Sequence, residues 1–217
     1  MKGHSERVPG KNFRPFAGKP LFRWMLDTLL SLVEVAEVVI NTDARGTLAD
    51  LGLSDGPRVR IRDRRTELCG DFVSMNRVLA DDVANVPADV YLMTHTTNPL
   101  LSTGTVRAAF QAFQAASAEG RADSLFTVNR FQTRFYGSDG RPINHDPSNL
   151  IRTQDLEPWF EENSNLYIFT GASFRATGAR IGRKPIMFTS PRLESFDIDD
   201  QEGWELAEAI AAHRGAG

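Results

Sequence analysis

Short runs rich in β-branched residues alternate with longer amphipathic segments along this chain, and that alternation constrains its fold more than any other feature. The strand-like runs are EVVINTD (37–43), PRVRIRD (57–63), DVYLMTHTT (89–97), SLFTVNRF (124–131) and NLYIFTG (165–171). Strands separated by helices predict βαβ units, and therefore an α/β fold with a mostly parallel sheet and helices on both faces. In such sheets, ligands bind beyond the carboxyl ends of the strands.

The segments between these runs have the spacing of amphipathic helices. In KPLFRWMLDTLLSLV, Pro20 stands at a first-turn position, and in DFVSMNRVLADDVANV we expect Asp71 to be the N-cap. Further helices are predicted in STGTVRAAFQAFQAASAEG, closed by Gly120, and in EGWELAEAIAAH. The stretch 132–163 breaks the pattern with turn-forming residues, so we interpret it as an inserted arm, either a lid or a dimerisation element.

Length and composition narrow the class of protein. A chain of 217 residues predicts one domain, 1–217, that carries the arm at about 132–163. A net charge of -3 argues against a protein that coats nucleic acid. The single cysteine, Cys69, fits a reducing cytoplasmic setting. No run approaches the roughly 20 apolar residues of a membrane span, so we expect neither nucleic acid nor membrane as a partner.

The chain opens with MKGHSERVPGKN, a basic loop that contains two glycines and a proline. Small residues allow backbone N–H groups to approach an anion, and Lys11 beside Asn12 combines a point charge with an amide. It is not a Walker loop, because GxxxxGK[ST] is absent. From these residues alone, a cradle for a triphosphate and a flexible basic tail are equally good interpretations.

A second stretch, SFDIDD (195–200), alternates apolar and acidic residues. This pattern predicts a strand end with Asp197 and Asp199 on one face. Two such carboxylates repel each other unless a cation lies between them, and Mg²⁺ bound to carboxylates and substrate phosphates is the usual solution. The alternative is a solvated strand end followed by a helix N-cap at Asp200.

Two further polar stretches follow predicted strands. THTTNPL (94–100) stands at a carboxyl end, where a ligand site or an ordinary loop with an N-cap at Ser102 is expected. Arg64 and Arg65 follow another strand, where they suit a phosphate or base, or form a solvated charge run.

Taken together, these stretches resemble the acylneuraminate cytidylyltransferases, a family that makes CMP-sialic acids and related CMP-nonulosonates. KGHSERVPGKN resembles the signature ARxxSKRxPxKN, AGKPLFRWML the helix after it, and VVINTD the family's VVSTD. RRTEL, with Asp71 and Ser74 after it, resembles R-x-x-E-L-x-x-D. THTTNPLLSTGTV is similar to LQPTSPLRTxxxI, and SFDIDDQEGWELAEAI to DIDTxxDLxxAE. The blocks come in the family's order and span essentially the whole chain.

The resemblance implies a Rossmann-like nucleotidyltransferase sandwich, mostly parallel, with a small inserted dimerisation arm and a homodimeric state. It also implies a reaction in which the anomeric hydroxyl of an acidic 2-keto sugar attacks the α-phosphate of CTP. Pyrophosphate leaves, and Mg²⁺ neutralises charge on the phosphates.

The resemblance further implies roles for particular residues. The catalytic residues would be Lys11, Asp197 and Asp199, of which Asp197 and Asp199 would hold the metal. The nucleotide-binding residues would be Lys2, Gly3, Ser5, Arg7, Lys11, Asn12, Arg64 and Ser74. The sugar-binding residues would be His95, Arg152, Asn163 and Tyr167.

Three positions depart from the family's pattern. Lys2 replaces an arginine and loses bidentate geometry, while Glu6 replaces a lysine and reverses the charge beside the phosphates. His95 replaces a glutamine near the sugar, and we expect it to titrate near neutral pH.

Three alternative functions differ from this interpretation. A CMP-Kdo synthetase typically has proline after the loop lysine, so Asn12 favours the nonulosonate reading. A DxD glycosyltransferase would need no P-x-K-N loop, and a non-catalytic relative would keep only the fold.

The family places a buried central strand directly before the opening loop, and no such strand precedes it in this sequence. We expect unpaired edges on the neighbouring strands and a core-sized gap between them. One hypothesis is that Met1 corresponds to an internal position of a longer natural protein. The other is that the shorter chain is genuine and its site impaired.

Overall fold

The computed structural model of this protein describes residues 1–215. The helices are α1 (Leu21–Leu30), α2 (Arg45–Asp50), α3 (Met75–Asn85), α4 (Thr103–Ala118), α5 (Gly171–Thr177) and α6 (Gln201–His213). The strands are β1 (Pro15–Phe16), β2 (Lys19–Pro20), β3 (Val38–Thr42), β4 (Val59–Asp63), β5 (Val90–Thr94), β6 (Ser124–Phe131), β7 (Trp159–Thr170) and β8 (Pro185–Thr189). No helix within the described residues is long and apolar enough to cross a membrane.

The larger strands form two groups. β3 and β4 pair in parallel. The other group is a sheet of four strands in the order β5-β7-β6-β8. In it β7 runs antiparallel to both of its neighbours, whereas β6 and β8 are parallel. β5, β6 and β8 therefore point the same way, and the α/β fold with a mostly parallel sheet is confirmed.

An apolar cavity of about 850 Å³ lies between β3 and β5. Both strands line it, together with Met25 of α1, Val83 of α3 and Phe110 of α4. Within residues 1–215, β3 pairs only with β4 and β5 only with β7, so one edge of each strand has no strand partner. The unpaired edges and the gap expected from the sequence are present.

Two apolar clusters fix the elements that carry the site. The larger one joins α1, β3 and α4. The second holds α6 against the opening loop and β1, with Trp204, Phe16 and Val8 fully buried. α6 begins where the carboxylate of Asp200 accepts a hydrogen bond from the Gly203 amide at 2.8 Å, which satisfies a free N–H of the first turn.

The structure differs from the sequence-based expectations at several elements. α3 begins at Met75 with Ser74 at the N-cap position, so Asp71 is not the cap; it pairs with Lys2 instead. Residues 195–200 form an extended loop rather than a strand end. Among the described residues, a single backbone hydrogen bond, from the Ile198 amide to the Thr97 carbonyl, joins them to the segment that follows β5.

The arm is irregular from 132 to 158, apart from a 3₁₀ turn at Thr153–Asp155 and an isolated antiparallel bridge between Tyr136 and Pro142. The last five positions of the predicted arm, 159–163, belong instead to β7. Positions 159–162 pair with the end of β6, which extends the strand beyond the apolar run at 165–171 that indicated it.

Candidate active site

The opening loop lies over the carboxyl ends of β3 and β5, and two glycines set its course. Gly10 has a φ of +63°, in the left-handed region that disfavours side chains, and it turns the chain back so that Phe13 donates to its carbonyl at 2.9 Å. The amide of Gly3 donates to Oδ1 of Asp43 at 2.6 Å. A Cβ added at Gly3 would lie 3.0 Å from the Cβ of Ala44, so the close approach depends on glycine.

Two cationic side chains attach this loop to the 197–199 segment. The ammonium group of Lys11 is buried and donates to the carbonyl oxygen of Ile198 at 2.5 Å. Nη2 of Arg7 lies 2.8 Å from Oδ1 of Asp199, in an exposed ion pair. The fold thus brings Lys11 to the other two predicted catalytic residues, Asp197 and Asp199, which follow it by more than 180 positions in the sequence.

Asp197 and Lys11 perturb each other inside this cluster. Burial raises the pKa of Asp197, opposed by the Thr97 hydroxyl and reinforced by the charge of Asp199. Burial lowers the pKa of Lys11, which Asp197 and Asp199 oppose. Oδ1 of Asp197 is buried and has no hydrogen-bond partner among the described residues, so it can accept a bond from a ligand.

Asn12 holds the loop to the end of β5. Its amide nitrogen donates to the carbonyl of Lys2 at 2.8 Å, and the Thr96 hydroxyl donates to its side-chain oxygen at 2.5 Å. Nζ of Lys2 lies 2.7 Å from Oδ1 of Asp71. These bonds give Asn12 and Lys2 roles in loop shape, and the nucleotide contacts expected of them stay predictions.

The other predicted nucleotide binders lie around the same opening. Arg64 follows β4 and donates to the side-chain oxygen and the carbonyl of Asn41, at 2.8 and 2.9 Å. Ser5 and Arg64 line the polar mouth of the cavity. Ser74 is exposed at the start of α3. Their contacts with a nucleotide stay predictions.

His95, at the end of β5, has a different charge from the one expected. Burial, followed by the charges of Arg180 and Lys11, lowers the pKa of His95 to about 4. The imidazole is therefore neutral at neutral pH, and the expectation that it titrates there is wrong. A neutral imidazole still offers one donor and one acceptor to a ligand.

The predicted sugar-binding residues are only partly brought together. Tyr167 of β7 is fully buried, and its hydroxyl donates to Glu162. Asn163 is also buried, with its amide bonded to Thr127, Asn129 and Ser190.

Arg152 lies apart from these residues. It is exposed, and its guanidinium pairs with Asp155 in the arm at 2.7 Å. The structure of the single chain therefore places Tyr167 near His95 but does not bring Arg152 to them.

Arg180 is a residue of this region that the sequence did not indicate. Its guanidinium stacks 3.8 Å from the ring centroid of Tyr167, and its charge acts on His95. It lies in GARIGRK (178–184), which reads as an ordinary basic loop. No local pattern could have separated it from Arg183 in the same loop.

Comparison with known proteins identifies the chain. The sequence model of a family described as Cytidylyltransferase matches residues 1–214. The chain belongs to this family. The predicted recognition is thereby confirmed, and this cytidylyltransferase is a nucleotidyltransferase enzyme.

Several relatives of this cytidylyltransferase have curated names. It is 27% identical to a CMP-N,N'-diacetyllegionaminic acid synthase of Legionella pneumophila, over 95% of this chain and 91% of the relative. It is 24% identical to a pseudaminic acid cytidylyltransferase of Campylobacter jejuni, over 96% of this chain and 92% of the relative. It is 27% identical to an N-acylneuraminate cytidylyltransferase of Oncorhynchus mykiss, over 95% of this chain and 48% of that longer protein.

Solved structures agree on the fold of this cytidylyltransferase. A CMP:2-keto-3-deoxy-manno-octonic acid synthetase complexed with CTP superposes with a TM-score of 0.66 at 15% identity, covering 99% of this chain and 96% of that one. A 4-diphosphocytidyl-2C-methyl-D-erythritol synthase from Anaerococcus prevotii superposes with a TM-score of 0.68 at 11% identity, covering 97% of this chain and 95% of that one.

Proposed function

We propose that this cytidylyltransferase transfers CMP from CTP to a nonulosonic acid of the sialic type and releases pyrophosphate. The observation that carries the proposal is the attachment of the basic loop to the acidic segment, with Lys11 bonded to Ile198 between Asp197 and Asp199. The relatives named for legionaminic, pseudaminic and neuraminic acids support the choice of sugar class.

In this proposal the opening loop binds the triphosphate. Lys11 and Arg7 supply two positive charges at its inner end. Gly3 and Gly10 have no side chains, so a phosphate can come close to the backbone N–H groups around them. Arg64 and Ser74 contact the rest of the nucleotide at the other side of the opening. Catalysis by such a site rests mainly on positioning and on stabilising the charge that develops on the phosphates.

The acidic pair fits Mg²⁺. Asp197 presents a buried oxygen with no partner within residues 1–215, and Asp199 is the next carboxylate along the segment. No cluster of three or more metal-binding side chains exists among the described residues. An Mg²⁺ ion held by this pair would take its other ligands from water and substrate phosphates. When bound, Mg²⁺ would neutralise charge on the phosphates.

The same acidic pair can also take part in activating the sugar. Burial raises the pKa of Asp197, which makes its carboxylate a better acceptor for the proton of the attacking hydroxyl. Neutral His95 offers one donor and one acceptor to the sugar, and the sugar contact expected of Tyr167 stays a prediction, because its hydroxyl donates to Glu162.

We expect CTP, Mg²⁺ and a panel of nonulosonic acids to give pyrophosphate with at least one sugar, because the basic opening loop and the acidic 197–199 segment meet at one site. The panel is N-acetylneuraminic, N,N'-diacetyllegionaminic and pseudaminic acids, with Kdo as the alternative substrate. Pyrophosphate is measured by a coupled phosphate assay, and ATP in place of CTP is the control. If no sugar gives pyrophosphate and CTP does not raise the melting temperature of the protein, the proposal is wrong.

We further propose that the protein is a homodimer formed through the arm, and that it acts in the cytoplasm, which its single cysteine suits. Exposed apolar side chains support the dimer because they are concentrated on and beside the arm. Of thirteen exposed large apolar side chains among the described residues, six lie between 136 and 160: Tyr136, Ile143, Leu150, Ile151, Trp159 and Phe160. Exposed apolar groups that adjoin one another are typical of protein interfaces.

Ile151→Asp is expected to dissociate the dimer, because a charge would be desolvated in the interface. Sedimentation equilibrium at micromolar concentration measures the mass. Val33→Asp is the matched control, since Val33 is the most exposed aliphatic residue outside the arm. A monomeric mass for the unmodified protein, or for the control alone, would contradict the arrangement.

A further inference from the structure

Arg180 has the environment of an anion-binding arginine. Its guanidinium stacks on the ring of Tyr167, with the central carbon 3.8 Å from the ring centroid. Stacking fixes the plane of the guanidinium and leaves its edge free for hydrogen bonds. The side chain is 20% exposed, so it is mostly removed from water but still accessible.

The N–H groups of Arg180 are only partly used. Nη2 lies 3.4 Å from an oxygen of Glu162, and Nη1 lies 3.8 Å from the sulfur of Met93, which is a weak acceptor. An arginine has five N–H donors, so within the described residues most of the fork carries no strong acceptor. The same Glu162 oxygen also accepts from the Tyr167 hydroxyl, so Glu162 offers Arg180 one shared oxygen rather than a bidentate pair.

The position of Arg180 points to the sugar rather than to the nucleotide. Met93 and Tyr167, which its guanidinium contacts, are cross-strand partners near the end of β5. His95 follows two residues later, and the charges of both Arg180 and Lys11 act on it. Arg180 is therefore close enough to the end of β5 for its charge to act on the imidazole.

We propose that Arg180 binds the carboxylate of the sugar acid and sets the requirement for an acidic sugar, an inference that rests on the proposed function. A planar carboxylate matches the two parallel N–H groups of the guanidinium edge. Neutral His95 adds a hydrogen bond beside it. Arg152, which the resemblance offers near the sugar, is instead 73% exposed and paired with Asp155 in the single chain.

The test compares Arg180→Gln with the unmodified protein, using whichever sugar of the panel is turned over and its methyl ester. The expected result is a KM for the sugar acid that rises about 10- to 100-fold while the KM for CTP stays within threefold. The preference for the free acid over its ester is expected to fall by the same factor, and Arg180→Lys to restore part of it. Arg183→Gln is the matched control, because Arg183 is exposed in the same loop.

Three results would overturn this assignment. One is an unchanged KM for the sugar acid in Arg180→Gln. Another is an equal loss with acid and ester, which indicates a purely structural role. The third is an equal loss in Glu162→Gln, which indicates that the Arg180–Glu162 pair, rather than a substrate contact, is what matters.

Binding measurements keep the proposed function separate from this assignment. Titration calorimetry follows the sugar acid binding to the protein loaded with a non-hydrolysable CTP analogue. If the unmodified protein binds the acid without turnover and Arg180→Gln does not, the assignment holds and the proposed reaction fails. If turnover occurs and Arg180→Gln matches the unmodified protein, the reaction holds and the assignment fails. If the unmodified protein neither binds nor turns over any acid, both are wrong.

Discussion

Replacing Asp199 with alanine is expected to slow pyrophosphate release from CTP by roughly 1,000-fold while the fold survives, because the metal's charge stabilisation amounts to several kcal/mol. The side chain of Asp199 is 53% exposed and its one ion pair is with Arg7 at 2.8 Å. An exposed pair of this kind contributes at most about 1 kcal/mol to the free energy of unfolding. The effect on rate should therefore far exceed the effect on stability.

The neighbouring carboxylate provides the control for Asp199. Asp200 caps α6 by accepting a hydrogen bond from Gly203, so Asp200→Ala should lower the free energy of unfolding by about 1 kcal/mol. Its turnover should stay close to that of the unmodified protein. Rates come from the pyrophosphate assay at saturating CTP and Mg²⁺, and stabilities from urea titration. If Asp199→Ala keeps near-normal rates, or if Asp200→Ala loses as much activity, the metal does not lie where we propose.

The regular elements were predictable because periodicity is a local property. All five strand-like runs are strands, and each of the four predicted helices contains a helix. α2 and α5 went unpredicted, since RGTLAD and GASFRAT are too short to show an apolar stripe. β8 begins with a proline and alternates between exposed and half-buried residues, as edge strands do, so its hydrophobic signal is weak.

The acidic segment shows where local pattern stops being sufficient. SFDIDD alternates as a strand does, yet among the described residues a single backbone hydrogen bond, from Ile198 to Thr97, joins it to another extended segment. What fixes it is long-range: Ile198 is fully buried against α6 and the loop, and Lys11 binds its carbonyl. A pattern within six residues cannot reveal a partner 187 positions away.

The protonation states of the site were equally hidden from the sequence. A histidine at position 95 suggests titration near neutral pH, but the fold surrounds it with protein atoms and with cations from both ends of the chain. Arg180 and Lys11 both disfavour a second positive charge there. The role proposed for Arg180 depends on its position beside Tyr167, Met93 and His95, which are distant from it in the sequence.

Lys11→Met is expected to lower kcat/KM for CTP by about 100- to 1,000-fold, because it removes a fixed positive charge from the phosphate site without changing the side chain's length much. The ammonium is buried and bonded to the Ile198 carbonyl, so it is already held in place before the substrate arrives. Such a preorganised charge stabilises the developing negative charge on the phosphates more than a mobile one does, and we therefore expect kcat to fall as well as KM to rise.

Opposing effects should leave the stability of Lys11→Met close to that of the unmodified protein. The substitution leaves the Ile198 carbonyl without its donor, which is destabilising, but it also removes a charge whose pKa burial lowers. Lys19→Met is the matched control, because Lys19 lies in the same N-terminal segment and pairs at the surface with Asp27. Steady-state kinetics with varied CTP separates kcat from KM. A kcat/KM for Lys11→Met within threefold of the control would show that the opening loop does not bind the triphosphate, because the buried charge beside Asp197 and Asp199 would then be absent without consequence for CTP, and the role proposed for Lys11 would be wrong.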